Sequence, residues 1–294
     1  MPSLSILRLT LCALCLLLVG GCSMVRVGYG HLDSVTMWMA HDYFDLNGEQ
    51  RDAFAQRFER LHAWHRREQL PEYAQFLEET RTRIKRGLHA ADLLWLLDGA
   101  RQRYARIAAR GAADAADLLA TLSPEQIDAF KRQLDKNNKK FLREHRSNDS
   151  EAERRKIVER RTLSRLRDWV GPLTNAQEAQ IIKMLPMVPL VDRLRHEDRL
   201  RAQREFLTLL EQRHSERRIF AQQLRQWLEH WEAGRSAEQA RLFEESWQKR
   251  AELYAAISRT LTTEQREHLL IRLQDYIEDF RHLAERSAGV VQTR

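Results

Sequence analysis

Cysteine is nearly missing from this 294-residue chain: three occur, Cys12, Cys15 and Cys22, and none follows. Everything after Cys22 is therefore without a disulfide, a thiol nucleophile or a cysteine-type zinc site. Glycine and proline are also sparse, at 11 and 6 residues, and several of them stand where an element would start or stop. A chain so poor in breakers, with no alternating strand pattern of any length, is predicted to be all-α. Also absent are G-x-S-x-G, the phosphate loop G-x-x-x-x-G-K-[ST], H-E-x-x-H and the dinucleotide glycine fingerprint. The chain accordingly reads as a non-enzyme with no cofactor. What is abundant is charge: 31% of residues are charged beside 43% hydrophobic, the balance of a packed protein with a charged surface.

The single long apolar run lies at the start. After Arg8 it extends from Leu9 to Gly21 and stops at Cys22. It is shorter than the ~20 residues that span a bilayer core, but it suits the central region of an export signal. Leu18-Val19-Gly20-Gly21-Cys22 resembles the lipobox of bacterial lipoproteins. That resemblance implies cleavage after Gly21, a covalent lipid on Cys22 and, with Ser23 rather than aspartate next, the outer membrane. The expected plan is a signal peptide over 1–21 and a lipidated tether over 22–31, followed by helical lobes over 32–145 and 151–287 that could also form one continuous domain. The expected address is the cell envelope, lipid-anchored at the periplasmic face of the outer membrane, which excludes nucleic acid as a partner.

Charge is unevenly spread. The net charge is +7. Between Lys131 and Arg167 there are 14 Lys and Arg against 6 Asp and Glu, a local excess larger than that of the whole chain. Lys139, Lys140, Arg154, Arg155, Lys156, Arg160 and Arg161 form the candidate basic surface, for anionic lipids, lipopolysaccharide, cell wall or acidic polypeptide.

Apolar spacing predicts helices over 32–44, 49–69, 71–86, 90–120, 124–144, 151–170, a short one after Thr174, and two more after Ser236 and Thr262. Residues 145–150 are the best linker. From Leu190 to Ala233 no breaker occurs, so the expectation is a bundle around one long spine helix of about 65 Å, at about 1.5 Å per residue. Phe206, Leu210, Phe220, Leu224, Trp227 and Trp231 follow a 3-4 spacing along it, interrupted by Arg213 and Arg217, where it could break. The tryptophans, seven in all, mostly fall on such apolar stripes and are expected in the core. Trp64, beside His65, Arg66 and Arg67, is the exception.

A short pattern recurs: Leu46-Asn47-Gly48-Glu49-Gln50, Leu122-Ser123-Pro124-Glu125-Gln126, Leu173-Thr174-Asn175-Ala176-Gln177 and Leu261-Thr262-Thr263-Glu264-Gln265. Ser236 to Gln239 is a further copy without the leucine. Each is a capping box, in which Ser123, Thr174 or Thr262 accepts from the backbone while Gln126, Gln177 or Gln265 reaches back. Their separations of 76, 51 and 88 residues define no repeating unit. The pattern resembles the LTxxQ motif of the Spy and CpxP periplasmic chaperones, fully so only at Leu173–Gln177 and Leu261–Gln265. A broader resemblance is carried by WMAHDYFDL (38–46) and LHAWHRREQLPEY (61–73) following the lipobox. It is to an uncharacterised DUF-type lipoprotein family of Gram-negative bacteria, strongest from Cys22 to Phe76. It implies a helical envelope lipoprotein and brings no activity or site.

Glu59 and His62 have an E-x-x-H spacing with His65 one turn on; the second copy that a di-iron site needs is only the poor match Asp279 to His282, the run Asp45-Leu46-Asn47-Gly48 fails as a calcium loop, and the expectation is no metal. The functional expectation is a chaperone-like or other protein-binding module of the envelope. The alternative is a structural lipoprotein that contacts lipopolysaccharide, phospholipid or cell wall through its basic face.

Overall fold

The computed structural model describes residues 24–145 and 148–291. The expected signal peptide, Cys22 and residues 146–147 of the expected linker lie outside them. The described residues form twelve α-helices and no strand: α1 Met24–Gly30, α2 Leu32–Phe44, α3 Gly48–Trp64, α4 Leu70–Lys85, α5 Ala90–Leu119, α6 Pro124–His145, α7 Glu151–Val170, α8 Asn175–Met184, α9 Asp192–Glu211, α10 Arg217–His230, α11 Ala237–Thr260 and α12 Thr263–Val291. No helix among the described residues is long and apolar enough to cross a membrane.

Most boundaries obey local chemistry. Asp45 adopts a left-handed conformation (φ 48°) that ends α2, and Asn47 caps α3 two residues later. Ser150 accepts from the Glu153 N–H to start α7, and Gly171 (φ 81°) stops it. Thr174 and Ser236 open α8 and α11 as capping boxes.

Three expectations give way. First, the segment expected as a tether is helical from Met24, and its Tyr29 is buried with Leu70 and Leu283. Arg26 also binds the buried Asp279 of α12, so α1 is packed down rather than loose. Second, Pro71 does not open a separate helix. α3 and α4 are joined through a π-helical turn, His65–Gln69, in which the Leu70 N–H reaches back to the His65 carbonyl. One residue more per turn relieves the clash and missing N–H that proline imposes on a regular helix.

Third, the long spine does not exist. The chain turns at residues 212–216 and folds α10 back on α9. Phe206 and Trp227 would lie about 30 Å apart on one straight helix, yet their rings are 4.8 Å apart. Arginine in an apolar seam explains the break. Arg213 donates to the Leu122 carbonyl (3.1 Å), and Arg217 makes a two-pronged pair with Asp117 at 2.5 Å for each contact. A continuous helix would have to bury both guanidiniums among apolar neighbours. The longest helices are instead α5 and α12.

The largest core cluster joins Leu46, Ala116, Leu119 and Leu122 to Phe130, Leu210, Phe220 and Leu224, from α5, α6, α9 and α10. A second joins α7, α8 and α11 through Leu163, Leu166, Ile181, Leu253 and Ile257. Helices of the two expected lobes interlock, since α4 packs along α12 and α5 packs along both α10 and α11.

Candidate functional site

The five cap motifs all form as capping boxes, and four of them are joined in pairs. The Gln50 amide donates to the Gln126 amide oxygen (3.1 Å) and accepts from its nitrogen (2.7 Å). Gln177 and Gln265 repeat this at 2.8 and 3.0 Å. The remaining amide hydrogens follow one rule as well. Each glutamine donates to the backbone carbonyl two residues before its partner's cap: Gln50 to Thr121, Gln126 to Asp45, Gln177 to Thr260 and Gln265 to Pro172. Each amide oxygen also accepts from its own cap residue, Asn47, Ser123, Thr174 or Thr262. Every donor and acceptor site of the amides is thereby used.

This corrects the expectation that the motifs define no repeat. The separations of 76 and 88 residues lie within pairs, so the same two-helix-start clasp is built twice. The leucines before the caps accompany them, Leu46 and Leu122 in the first core cluster, Leu173 and Leu261 in the second. Gln50, Gln177 and Gln265 are buried and have nothing left to offer a ligand.

The basic candidates scatter. Arg154 turns inward to Asp192 at 2.6 Å with both side chains largely buried. Arg155 pairs with Glu151, Lys140 with Glu144, and Arg161 donates to the Glu144 carbonyl. Lys139, Lys156 and Arg160 remain exposed, with no hydrogen bond or ion pair among the described residues.

The histidines are structural neighbours of α1. Both ring nitrogens of His65 meet tyrosine hydroxyls, Tyr29 at 2.9 Å and Tyr73 at 3.2 Å. Burial, then the adjacent His62, push the His65 pKa down to about 4. His62 stacks on Tyr29 and Phe58, with ring centroids 4.6 and 5.4 Å away. Glu59 is exposed, and no group of three or more His, Cys, Asp and Glu able to hold a metal forms among the described residues. Trp64 is engaged as well: its indole N–H donates to Glu68 at 2.7 Å.

The turn at 212–216 creates a feature that a straight spine could not have. An open cavity of about 620 Å³ lies between α2, α6, α9, α10 and α11. Its walls carry Tyr43, Phe130, Phe206, Trp227, Trp231, Phe243 and Trp247, and Arg195, Arg199 and Arg235 stand among them. Volume and aromatic lining are those of a small-ligand or side-chain pocket. The Trp227 indole nitrogen is buried with no hydrogen-bond partner, although buried indoles normally have one.

One carboxylate organises this wall. Asp198 is buried and bonds Arg201 through one oxygen (2.8 Å) and Arg235 through the other (2.8 Å). Arg201 also donates to the Trp231 carbonyl (2.8 Å), which pins the turn carrying Trp231. Arg235 stacks over Phe243 at 4.1 Å and Trp231 at 4.9 Å. Gly234 permits this, because a Cβ there would strike the side chains of Arg201 and Glu205. Toward α6, Arg199 of the same helix donates to Asn138 (2.7 Å), which exchanges hydrogen bonds with Gln203.

The sequence reading placed Trp227, Trp231 and Trp247 in the core and singled out none of Arg195, Asp198, Arg199 and Arg235. The signal available was the pair of arginines interrupting the seam: a hairpin there puts Phe206 opposite Trp227.

Residues 42–240, well over half of the chain, match a family of unknown function, DUF6279. The chain belongs to that family. No curated protein and no solved structure matches it. The DUF6279 match runs far beyond Phe76, where the resemblance was expected to thin, and it starts at Asp42, after the lipobox. It takes in the Gln50–Gln126 clasp, Asp198, Arg201 and Arg235, and most of the aromatic wall. Phe243, Trp247 and the Gln265 half of the second clasp fall outside the DUF6279 match.

Proposed function

We propose that this DUF6279 protein is a binding protein of the bacterial cell envelope, anchored by a lipid on Cys22, that holds polypeptide segments in the cavity walled by Tyr43, Phe206, Trp227, Trp231 and Trp247. The observation that carries this reading is the cavity itself. It is open, aromatic and rimmed by Arg195 and Arg199. Such a wall suits an apolar or aromatic side chain flanked by carboxylates or by a backbone carbonyl. The clasped glutamines support the scaffold and not client contact, so kinship with the small chaperones rests on architecture rather than on exposed motif residues. The outer-membrane address rests on the lipobox-like run. Exposed Val27, Val35, Trp38 and Met39 on α1 and α2, just beyond Cys22, are in keeping with an anchored end that faces a bilayer.

A photo-crosslinking residue at Trp247 in the full chain, activated in intact cells, tests the reading. Adducts with envelope polypeptides are the expected outcome, reduced by Arg199→Glu. Adducts with lipid alone, or none, overturn it. The alternative of a structural lipoprotein lying on lipopolysaccharide is favoured by the unpaired Lys139, Lys156 and Arg160. It predicts membrane association that falls steeply with salt when those residues are present.

A further inference from the structure

A second cavity, of about 380 Å³, lies between α4, α5, α7, α11 and α12. Its walls are Leu77, Ile84, Leu88, Leu93, Leu96 and further apolar side chains, with polar groups from Thr80, Ser258, Tyr254, Trp169 and Arg165. Two of these are already satisfied. The Thr80 hydroxyl donates to the Phe76 carbonyl (2.9 Å) and the Ser258 hydroxyl to the Ala255 carbonyl (2.8 Å). Polarity open to an occupant is thus confined to Arg165, the Tyr254 hydroxyl and the Trp169 indole, of which only Arg165 is charged.

Arg165 belongs to a trio. Arg195 of α9, Arg250 of α11 and Arg165 of α7 lie close enough to repel one another in every pairing. Burial first, then this mutual repulsion, hold the Arg195 guanidinium below its ordinary pKa range. Arg250 is lowered by burial and by Arg165, against an opposing contribution from Tyr254. Carboxylates compensate only in part, through Asp192 at Arg195. Arg165 and Arg195 make no hydrogen bond or ion pair among the described residues, and Arg250 donates only to the Ser246 hydroxyl (3.3 Å). Asp192 acts on Arg195 as a partial counter-charge, but it gives one oxygen to Arg154 and keeps the other buried without a hydrogen bond. Three cations from three helices share one carboxylate that a fourth guanidinium, Arg154, already holds, and this positive excess costs stability unless an anion joins them.

We infer that this apolar cavity is a binding site for a single-chain anionic amphiphile, its acyl chain among Leu77, Leu93 and Leu96 and its charged head on Arg165, with Arg195 and Arg250 adding positive potential. Guanidiniums bind phosphate and carboxylate through paired N–H groups, and a trio of cations matches a phosphate-bearing head best. Arg195 also rims the aromatic cavity, but Arg165 and Arg250 do not line it, so variants at those two positions test this site apart from the polypeptide reading.

Native mass spectrometry of the full chain released from nonionic detergent tests it, with lysophosphatidic acid, a fatty acid of equal chain length, a neutral monoacylglycerol and inorganic phosphate each added alone. The expected result is one stoichiometric adduct with lysophosphatidic acid, a weaker one with the fatty acid and none with the neutral lipid. The Arg165→Gln/Arg250→Gln double variant should weaken binding roughly tenfold or more, the scale of one or two lost charge-assisted hydrogen bonds. That variant relieves repulsion, so it should fold at least as well as the parent. Leu93→Trp fills the cavity with the arginines intact and should abolish the adduct. Equal uptake of the neutral lipid, unchanged binding by the double variant, or a phosphate adduct that persists in Leu93→Trp without any lipid adduct in the parent would each overturn the inference.

Discussion

Glutamine does unusual structural work in this molecule. A capping box normally ends with an exposed side chain, and Gln239 at the start of α11 is of that kind: it closes its box with Ser236 and touches nothing else among the bonds described. Gln177 closes the same box and additionally holds Thr260 and Gln265 in a buried setting. The two therefore differ in what their loss exposes. Gln239→Ala should cost about 1 kcal/mol, a lost cap. Gln177→Ala should cost about 2–4 kcal/mol, since it also leaves a buried carbonyl and a buried amide without partners. Urea unfolding of both variants checks this, and equal losses would show that the clasp contributes nothing beyond the cap. In the double variant with Gln265→Ala the two effects should not add, because the second substitution removes a group already orphaned.

At the scale of elements, the junctions carry the specific information. The π-helical turn between α3 and α4 places His65 between Tyr29 of α1 and Tyr73 of α4. Its pKa, held down at about 4 by burial and by His62, makes the junction acid-sensitive. The unfolded chain takes up a proton near pH 6.5 while the folded chain resists until about pH 4, so stability is intact above pH 6.5 and is lost as pH falls through that window. From pH 7.5 to pH 5 the loss should be about 1–2 kcal/mol after allowance for partial exposure. His65→Gln, which keeps a hydrogen-bonding amide and cannot titrate, should flatten the profile; a parent chain with no acid dependence in this range would show the junction to be more open than described. The other decisive junction is the turn at 212–216. It converts an apparent 44-residue spine, 190–233 in the sequence, into a hairpin whose inner face becomes the wall of the aromatic cavity.

For the molecule as a whole, interlocking decides behaviour. α4 and α12, which are almost 180 residues apart in the chain, lie along one another, and α5 is covered by α10 and α11. Neither expected lobe can keep its apolar faces covered without the other. Denaturant unfolding followed by tryptophan fluorescence and by far-ultraviolet circular dichroism should give one coincident transition. Two separated transitions would mean that residues 32–145 and 151–287 unfold as independent units. Such closure also explains why α1 is ordered: Tyr29 and Arg26 land on α4 and α12, which meet only once the chain has nearly ended.

Helix content and most helix ends were legible along the chain because their causes are local. Asn47, Ser150, Thr174 and Ser236 act on backbone N–H groups three residues away, and Gly171 stops α7 through its own φ. Membership of a family without known activity was expected along the chain too, and the match over residues 42–240 bears it out. What tertiary structure alone decided were the partners across long separations. Nothing local states that Gln177 meets Gln265, that Asp198 sits between Arg201 and Arg235, or that Arg165, Arg195 and Arg250 converge. The same residue types on a solvated face would look identical in sequence, because a side chain's chemistry depends on what surrounds it and a helix leaves that to its packing. The capping residues determined where helices begin; the burial of their glutamines, and the cavities opened by one arginine-marked turn, followed only from how those helices pack.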